Sequence, residues 1–304
     1  MERYGSIEEI GAKMDALAIW EEIAPFNFAV KPKGTVFPYF CTALKGDGEL
    51  VKIRFLMLEG WQTLHDFVRV RIDSDFGFYS SPMEMPHLEM VITRGGEIKL
   101  FRHDAGYMPL EANEAQRSLA SKILWEAYGV MMRVESDRML PLKFSGDKAV
   151  FARVENPAGQ WRDEPLVIPP PPPYTETVKL PKSDVAAAKD LPFVAAEAIE
   201  LDMRMLPGVM TKEARPRTVY ELSAYDVSGV KIIESRASVD PRAGLKALWE
   251  MLAPEVLRAL VKRGVVPGEI KVVSGRVFRF LRPLCMELPF KLSLHDKLQH
   301  FSKS

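Results

Sequence analysis

Five consecutive prolines, Pro169 to Pro173, constrain the fold of this chain more than any other feature of the sequence. Each proline fixes φ at about −65° and has no amide hydrogen, so a proline run favours polyproline II and cannot continue a helix or a central strand. We therefore expect a semi-rigid linker between two separately folded units. The predicted organisation is a domain at residues 1–160, a proline-rich linker at 161–180 and a second domain at 181–304.

The composition is typical of a soluble globular protein, with 47 % hydrophobic and 27 % charged residues. No apolar run reaches the ~18 residues of a membrane helix, and the chain starts without a signal-peptide pattern. We therefore expect a cytoplasmic protein that does not bind membranes. Cys41 and Cys285 could form one disulfide bond between the domains, but in a reducing cytoplasm we expect two buried free thiols.

Charged side chains are unevenly distributed, although the formal net charge is zero. From Thr175 onward the sequence has 21 Lys and Arg against 16 Asp and Glu, while the preceding part has 20 against 25. The basic C-terminal part could contact phosphates, but the same imbalance occurs in proteins that never bind nucleic acid. A protein partner is therefore slightly favoured, and nucleic acid is the alternative partner.

The pattern of the N-terminal part predicts an α+β domain, whose role the sequence leaves open. The spacing of apolar residues predicts helices at 7–23, at 64–72 and from Asn113 onward. Ser6 with Glu9, and Asn113 with Gln116, have the spacing of helix-capping pairs. Strands are predicted at 35–44, 50–58, 87–93, 97–102 and 148–155.

Three histidines, His65, His87 and His103, are the candidate metal ligands of this part. A metal site needs two of them, or one with carboxylates, to converge with a fixed spacing. Their separations of 22 and 16 residues match no ligand motif, so we expect isolated polar residues at the ends of elements, and no cofactor. The stretch Gly60 to Phe67, followed by Pro86-His87-Leu88, resembles a domain found in plasmid- and transposon-borne proteins.

The pattern of the C-terminal part predicts three successive strands, followed by alternating helices and strands. The three strands are expected at 198–205, 217–225 and 230–239. A helix is expected to begin at Asp240-Pro241, to kink or divide at Pro254 and to end at Gly264. The remaining elements are a strand at 269–273, a helix at 276–288 and a strand at 290–294.

This order of elements resembles the ribonuclease-H-like core of integrases and transposases. The segment from Pro267 to Phe278 is also similar to the pattern P-x-x-I-x-x-D-x-G-x-x-F, which carries the second catalytic aspartate of that superfamily. The resemblance extends from Glu197 to the end of the chain and implies an α/β domain with a mixed sheet flanked by helices. The whole chain also resembles a bacterial two-domain family of unknown function, which implies no activity.

The residues that would carry the chemistry of this superfamily are mostly replaced. Asp202 lies on the first predicted strand, where the first aspartate is expected, but Val273 stands at the second position. Glu287 is the one glutamate of the last predicted helix and is too close to Val273 for the integrase spacing. Because two divalent ions need clustered carboxylates, we expect a degenerate, non-catalytic centre in which Val273 is buried among apolar side chains. The sequence thus predicts a binding or interaction protein, with enzymatic activity uncertain.

Arginines are the candidate binding residues of this part. Arg276, Arg279 and Arg282 follow one another at i, i+3 and i+6, along one face of the last predicted helix. With Arg215 and Arg217, they could bind a phosphate backbone or an acidic partner. The alternative is a solvated helix face, or pairing with nearby glutamates.

The alternative function is a divergent metal-dependent phosphoesterase or nuclease with relocated ligands. Its candidate catalytic residues are Asp202, Asp226 and Glu234. They would have to converge within about 4–5 Å, close enough to share a metal ion. Asp226 equally fits a residue that only forms a turn.

Overall fold

The computed structural model describes residues 4–17, 28–46, 49–73, 85–140, 149–171, 178–240 and 244–301. The chain divides into two compact units, both mixed α and β. The first unit consists of Met1–Val68, Met85–Asp104 and Pro109–Pro172. The second consists of Pro173–Ser304 together with the short segments Arg69–Glu84 and Ala105–Met108, which the predicted domain boundaries had assigned to the first domain.

The first unit is built on an eight-stranded sheet. In chain order its strands are β1 (Phe28–Lys31), β2 (Tyr39–Lys45), β3 (Val51–Glu59), β4 (His87–Thr93), β5 (Ile98–His103), β6 (Leu110–Glu111), β7 (Ala149–Glu155) and β8 (Trp161–Val167). They lie side by side in the order β6-β5-β4-β3-β2-β1-β7-β8. All neighbours are antiparallel except β1 and β7, which are parallel. The sheet is therefore mixed.

The helices of this part are α1 (Ile7–Leu17), α2 (Gly60–Asp73) and α3 (Glu114–Ser136). The apolar stripes of α1 and α3 pack on one face of the sheet, against side chains such as Phe55 and Met57. Both predicted caps are confirmed. Asn113 and Gln116 exchange hydrogen bonds at the start of α3, and Ser6 and Glu9 do the same before α1. The part of the first predicted helix beyond residue 17 lies outside the described residues.

The opposite face of this sheet is also buried. Because successive strand residues alternate between faces, Phe40, Leu56 and Leu58 point away from α1 and α3, and each is at most 1 % exposed. Helix α2 lies on this second face, where the ring of Trp61 is 4.9 Å from that of Phe40. The same face carries the buried polar residues His87, Glu89 and His103.

The predicted linker starts too early. Residues 161–167 form β8, which pairs with β7 over seven positions, from Ala149 opposite Val167 to Glu155 opposite Trp161. The segment is polar and contains Pro165, a combination typical of a linker. An edge strand tolerates proline because only one of its sides needs backbone hydrogen bonds, and β8 is an edge strand. Residues 172–177, including the last two prolines of the run, lie outside the described part of the chain.

The second unit contains a five-stranded sheet. Its strands are β9 (Phe193–Met210), β10 (Thr218–Asp226), β11 (Lys231–Ser238), β12 (Val266–Val272) and β13 (Lys291–Leu294). They lie in the order β11-β10-β9-β12-β13. β10 is antiparallel to both of its neighbours, whereas β12 is parallel to β9 and to β13. The five predicted strands are confirmed, and β9 is longer than expected because its first half pairs with β12.

The helices of this unit are α4 (Lys182–Lys189), α5 (Gly244–Glu250), α6 (Leu252–Arg263) and α7 (Gly275–Cys285). Their apolar side chains join one face of the sheet in a single core. The helix predicted to start at Asp240-Pro241 divides in two at Met251, three residues before Pro254. Residues 241–243 lie outside the described residues. Gly264 ends α6 with φ of 80°, as a left-handed cap.

One prediction about this core is wrong. Val272, the last residue of β12, is fully buried, whereas Val273 follows the strand and is only half-buried. Ile270 and Val272 lie on the buried face of β12, so the alternation of side chains directs Val273 away from that face.

Two further properties concern the cysteines and the helices. Cys41 and Cys285 are free cysteines, as predicted, although Cys285 is only half-buried. None of the helices in the described ranges is both long enough and apolar enough to pass through a lipid bilayer.

Candidate functional site

The first candidate region is the polar face of the second sheet, which carries two of the predicted catalytic carboxylates. Asp202 on β9 lies opposite Ser223 on β10, and Ser223 lies opposite Glu234 on β11. Neighbouring strands are about 4.8 Å apart, so Asp202 and Glu234 are separated by about 10 Å across the sheet. Both carboxylates share one face but cannot hold the same ion.

Asp202 has local partners of its own. Its Oδ1 accepts a hydrogen bond of 2.9 Å from the backbone N–H of Met203, and Arg204 Nε lies 3.7 Å from its Oδ2. Burial raises the pKa of Asp202, and the charge of Arg204 opposes that rise. Asp202 is therefore bound by groups of its own strand and does not belong to a cluster of carboxylates.

Asp226 does not face the same side as Asp202. It lies three positions beyond Ser223 on β10, so the alternation of side chains directs it to the other face. Its Oδ1 accepts hydrogen bonds from the Ser228 hydroxyl and from the N–H groups of Ser228 and Val230, at 2.6, 2.9 and 3.0 Å. These bonds lower the pKa of Asp226 and close the β10–β11 turn. The turn-forming role of Asp226 is confirmed.

Two further acidic groups of this face, Glu221 and Glu234, are neutralised by cations. Glu221 lies 3.1 Å from Lys231 Nζ and 3.1 Å from Arg236 Nε, and Glu234 pairs with the same two cations. A hydrogen bond from Ser223 and these cations lower the pKa of Glu221. In this unit, no three His, Cys, Asp or Glu side chains of the described residues come within metal-binding distance. The polar face is a network of ion pairs.

The five predicted arginines do not form a single site. Arg217 binds Glu213 and the carbonyl oxygen of Val239. The Arg215 guanidinium lies 4.0 Å from the Tyr107 ring centroid, and that of Arg276 lies 4.8 Å from the Trp249 ring centroid. Arg279 and Arg282 line a cleft together.

This cleft lies between α4 with its preceding residues and the C-terminal half of α7, and it has a volume of about 850 Å³. The lining cations are Lys182, Lys189, Arg279 and Arg282. The apolar lining consists of Val178, Leu180, Val185, Ala186, Pro283 and Met286. We call this feature the α4–α7 cleft.

The orientation of α7 explains the cleft. Its apolar stripe, which includes Val277, Phe280 and Leu284, is buried in the core. Ser274 caps the helix by accepting a hydrogen bond from the N–H of Val277. With the stripe fixed, Arg279 and Arg282 are directed to the outside, and Met286, just after the helix, is 81 % exposed.

Among the described residues, the lining of the cleft carries more positive than negative charge. Within this part of the chain Glu287 is the single lining carboxylate, and it pairs with Lys189 at 2.6 Å. Arg279 and Arg282 line the cleft beside apolar side chains. Such a combination suits a ligand that is both acidic and apolar.

A second candidate site lies in the first unit, on the face of the sheet opposite α1 and α3. His87 of β4 lies directly opposite His103 of β5, and their rings stack with centroids 4.2 Å apart. Glu89 is two residues beyond His87 on the same face, and its Oε2 lies 2.6 Å from His103 Nε2. Arg54 of β3 binds the other carboxylate oxygen through Nε. We call these four residues the His–Glu cluster.

The prediction that the histidines of this part are isolated is wrong for two of them. The predicted hairpin around Gly95-Gly96 does not by itself give this pair, since a two-residue turn there would place His87 opposite Asp104. In the structure the loop has three residues, 94–96, which places Thr93 opposite Glu97 and His87 opposite His103. His65 lies apart on α2, where its Nε2 is 3.0 Å from the carbonyl oxygen of Pro169. Sequence separation was the wrong measure, because a β-hairpin joins distant positions in register.

The cluster is almost completely shielded from water, with Glu89 and His103 each 2 % exposed and His87 4 % exposed. Burial raises the pKa of Glu89, but hydrogen bonds from His103 and Arg54 outweigh it and lower the pKa to about 2. Burial, with the nearby His103, lowers the pKa of His87 to about 3. At neutral pH the cluster therefore contains an ionised carboxylate, a guanidinium and a neutral His87 ring.

Comparison with known proteins adds nothing to this geometry, since no family model, curated protein or solved structure matches the chain.

Proposed function

We propose that this protein binds an acidic, partly apolar segment of a partner protein in the α4–α7 cleft, on a ribonuclease-H-like C-terminal unit that no longer serves catalysis. The observation that carries the proposal is the lining of the cleft, where four cations lie beside partly exposed apolar side chains. Localisation in the cytoplasm belongs to the same proposal.

The ribonuclease-H-like assignment is supported by the order and pairing of the elements. Three strands, a divided helix, a strand, a helix and a strand follow one another in the order expected for that core. All five strands belong to one mixed sheet, in which β12 and β13 lie parallel to the first strand of the series, β9. Connections through α5, α6 and α7 are what parallel neighbours require.

A lost metal centre is supported by the placement of the carboxylates. Asp202 is held by Met203 and Arg204, Asp226 closes a turn on the other face, and Glu234 is two strands away from Asp202. The side chain of Val273 has no oxygen to offer an ion. This geometry gives the phosphoesterase alternative no support among the described residues.

The chemistry of the cleft favours a peptide over a nucleic acid. A phosphate backbone needs cations but gains nothing from Val185 or Met286, whereas an acidic segment with apolar side chains uses both kinds of lining. Exposed ion pairs contribute little individually, so the apolar contacts would supply most of the affinity and the cations the selectivity for acidic sequences.

A displayed peptide library tests the proposal, because random peptides sample acidic and apolar sequences without assuming one partner. The full-length protein selects peptides, and the same selection is run with the double variant Arg279→Glu, Arg282→Glu. We expect acidic peptides with apolar residues that bind the variant at least about tenfold more weakly, or about 1.4 kcal/mol. The control is Lys246→Glu, Lys291→Glu, which reverses two exposed charges outside the cleft.

Selected peptides without acidic residues, or equal affinity for both double variants, would refute the cleft as the binding site. Labelled duplex and single-stranded oligonucleotides are titrated in parallel at low salt. Tight binding of an oligonucleotide that Arg279→Glu, Arg282→Glu abolishes would replace the peptide with a nucleic acid as ligand.

A further inference from the structure

We propose that His87, Glu89 and His103 form a binding site for a divalent transition-metal ion, with Zn²⁺ as the preferred ion. The site lies in the first unit and is independent of the function proposed for the second. It rests on the geometry of the His–Glu cluster.

The three side chains offer a suitable set of donors at suitable distances. One ligand atom from each, a ring nitrogen or a carboxylate oxygen, lies within 4.8 Å of the other two. Two imidazoles and one carboxylate are a donor set that zinc and its neighbours in the first transition row accept. Mg²⁺ and Ca²⁺ prefer sites made of oxygen alone, and this cluster has mostly nitrogen donors.

His87 is already oriented as a ligand. A backbone carbonyl oxygen can only accept, so His87 Nδ1 carries a proton and donates it to the carbonyl oxygen of Met85, 2.9 Å away. The other ring nitrogen, Nε2, is then a lone-pair donor, and it is buried without a hydrogen-bond partner. A histidine ligand normally has this arrangement, with one nitrogen anchored to a carbonyl group and the other on the metal.

His103 also has a buried nitrogen in need of a partner. Its Nε2 lies next to Glu89, and its Nδ1 has no hydrogen-bond partner. An unpaired polar atom in the interior costs about 1–3 kcal/mol. Two such atoms destabilise a purely structural network, and a metal ion bound to one nitrogen of each ring would satisfy at least one of them. Because the two rings are nearly parallel, one ring must turn so that both lone pairs point at the same ion.

Glu89 completes the set with the oxygen that Arg54 does not hold. This oxygen accepts a hydrogen bond from His103 in the metal-free protein, and a bound ion would replace that hydrogen bond. Arg54 holds Oε1, while Oε2 faces the histidines. A guanidinium behind a ligating carboxylate fixes its orientation, as outer partners do in metal sites. Its positive charge also repels a divalent ion, so we expect weaker binding than in a site with four protein ligands.

Three protein ligands leave a coordination position for water or for another small ligand. Closed structural zinc sites use four protein ligands, whereas sites that exchange a ligand use three. The His–Glu cluster belongs to the second kind by ligand count. Because its ligand atoms are shielded from solvent, loading requires local opening of the fold and is expected to be slow.

The chain has only five histidines, which allows a sharp test. The triple variant His65→Ala, His295→Ala, His300→Ala retains His87 and His103 alone. Tag-free protein is stripped with EDTA, incubated for hours with Zn²⁺ and desalted, and bound zinc is measured by mass spectrometry. We expect about one zinc ion per chain in the triple variant, as in the wild type. Wild-type binding that the triple variant loses would overturn the proposal.

The complementary variants remove one ligand each. His87→Gln and Glu89→Gln are expected to lower zinc affinity by at least about tenfold, with the fold checked by circular dichroism. X-ray absorption at the zinc edge of the loaded triple variant needs no change in the cluster and should show two imidazole ligands. No zinc uptake after prolonged incubation, or a zinc environment without imidazole, would show that the cluster is only a buried polar network.

Discussion

The charged side chains of the two units lie in opposite environments, buried in the first unit and solvated in the second. In the first unit Glu89 is 2 % exposed and is bound by Arg54 and His103 in the interior of a sheet. In the second unit Glu221 and Glu234 pair with Lys231 and Arg236 on a face where Arg236 is 58 % exposed. A buried ion pair that loses one partner leaves an uncompensated charge, whereas a solvated pair is replaced by water. Removing one charged residue is therefore expected to change the free energy of unfolding much more in the first unit than in the second.

Removing the charge of Glu89 is the strongest test of this comparison. Glu89→Gln leaves Arg54 buried without its carboxylate, and we expect a loss of about 3–5 kcal/mol in the free energy of unfolding. Urea denaturation in the presence of EDTA measures it. The double variant Arg54→Met, Glu89→Leu removes both charges and should cost less than the single change. If Glu89→Gln costs below about 1 kcal/mol, the cluster is as well solvated as the ion pairs of the second unit.

The sensitive points of the second unit lie in its backbone packing. Gly268 lies where the register between β9 and β12 shifts, and a Cβ atom there would be 2.2 Å from the carbonyl oxygen of Ala195. Gly268→Ala is therefore expected to cost about 2–3 kcal/mol, since the neighbouring backbone must move. Gly264→Ala is the matched control, because its positive φ costs about 1–2 kcal/mol but no atom lies within 4 Å of the added Cβ. Thermal unfolding of both variants shows which substitution costs more stability. Equal losses of stability would contradict the close approach of the two strands.

Low pH is expected to destabilise the first unit through its buried histidine and glutamate. The folded pKa of His87, about 3, lies below its ordinary value of 6.5, so unfolding takes up a proton between these two values. The contribution of His87 to stability is complete above pH 6.5 and is lost as the pH falls towards 3. The pKa of Glu89 is about 2 in the folded protein, against an ordinary value of 4.5. Glu89 therefore adds a further loss of stability as the pH falls below 4.5. We expect a slope of up to about 1.4 kcal/mol per pH unit from His87 alone.

The measurement is urea unfolding of metal-free protein at a series of pH values. His87→Gln has no ring to protonate, so its slope between pH 6.5 and 4.5 should be smaller than that of the wild type by about one proton. Identical slopes in the two proteins would mean that His87 is accessible to protons in the folded state.

Sequence reasoning succeeded where the pattern is local. The capping pair Asn113 and Gln116 and the helix that tolerates Pro283 were recovered because each depends on residues a few positions apart. The hairpin at Gly95-Gly96 was recovered as well, but not the register that joins His87 to His103, which depends on a loop of three residues instead of two. The third strand of that site, which brings Arg54 to Glu89, pairs with β4 across a long connection whose register no local pattern contains.

Local sequence patterns also do not reveal the α4–α7 cleft. Arg279 and Arg282 were recognised as neighbours on one helix face, but the opposite wall comes from α4, an eight-residue helix that the sequence did not predict. Its residues Asp184 to Lys189 include three alanines, and few apolar side chains mark the buried side. The partners of Arg215 and Arg276 are aromatic rings distant in sequence, Tyr107 and Trp249, which spacing alone cannot reveal.

The solvated ion pairs of the second unit are expected to contribute least to stability. Arg236→Gln removes a cation from Glu221, but Lys231 and the Ser223 hydroxyl still neutralise and bind that carboxylate. Because Arg236 is largely solvated, we expect a change of less than about 1 kcal/mol in the free energy of unfolding, and less still at high salt. Urea denaturation at low and high ionic strength measures both values. A loss as large as that of Glu89→Gln would show that this face is covered in solution, and that the contrast between the two units does not hold.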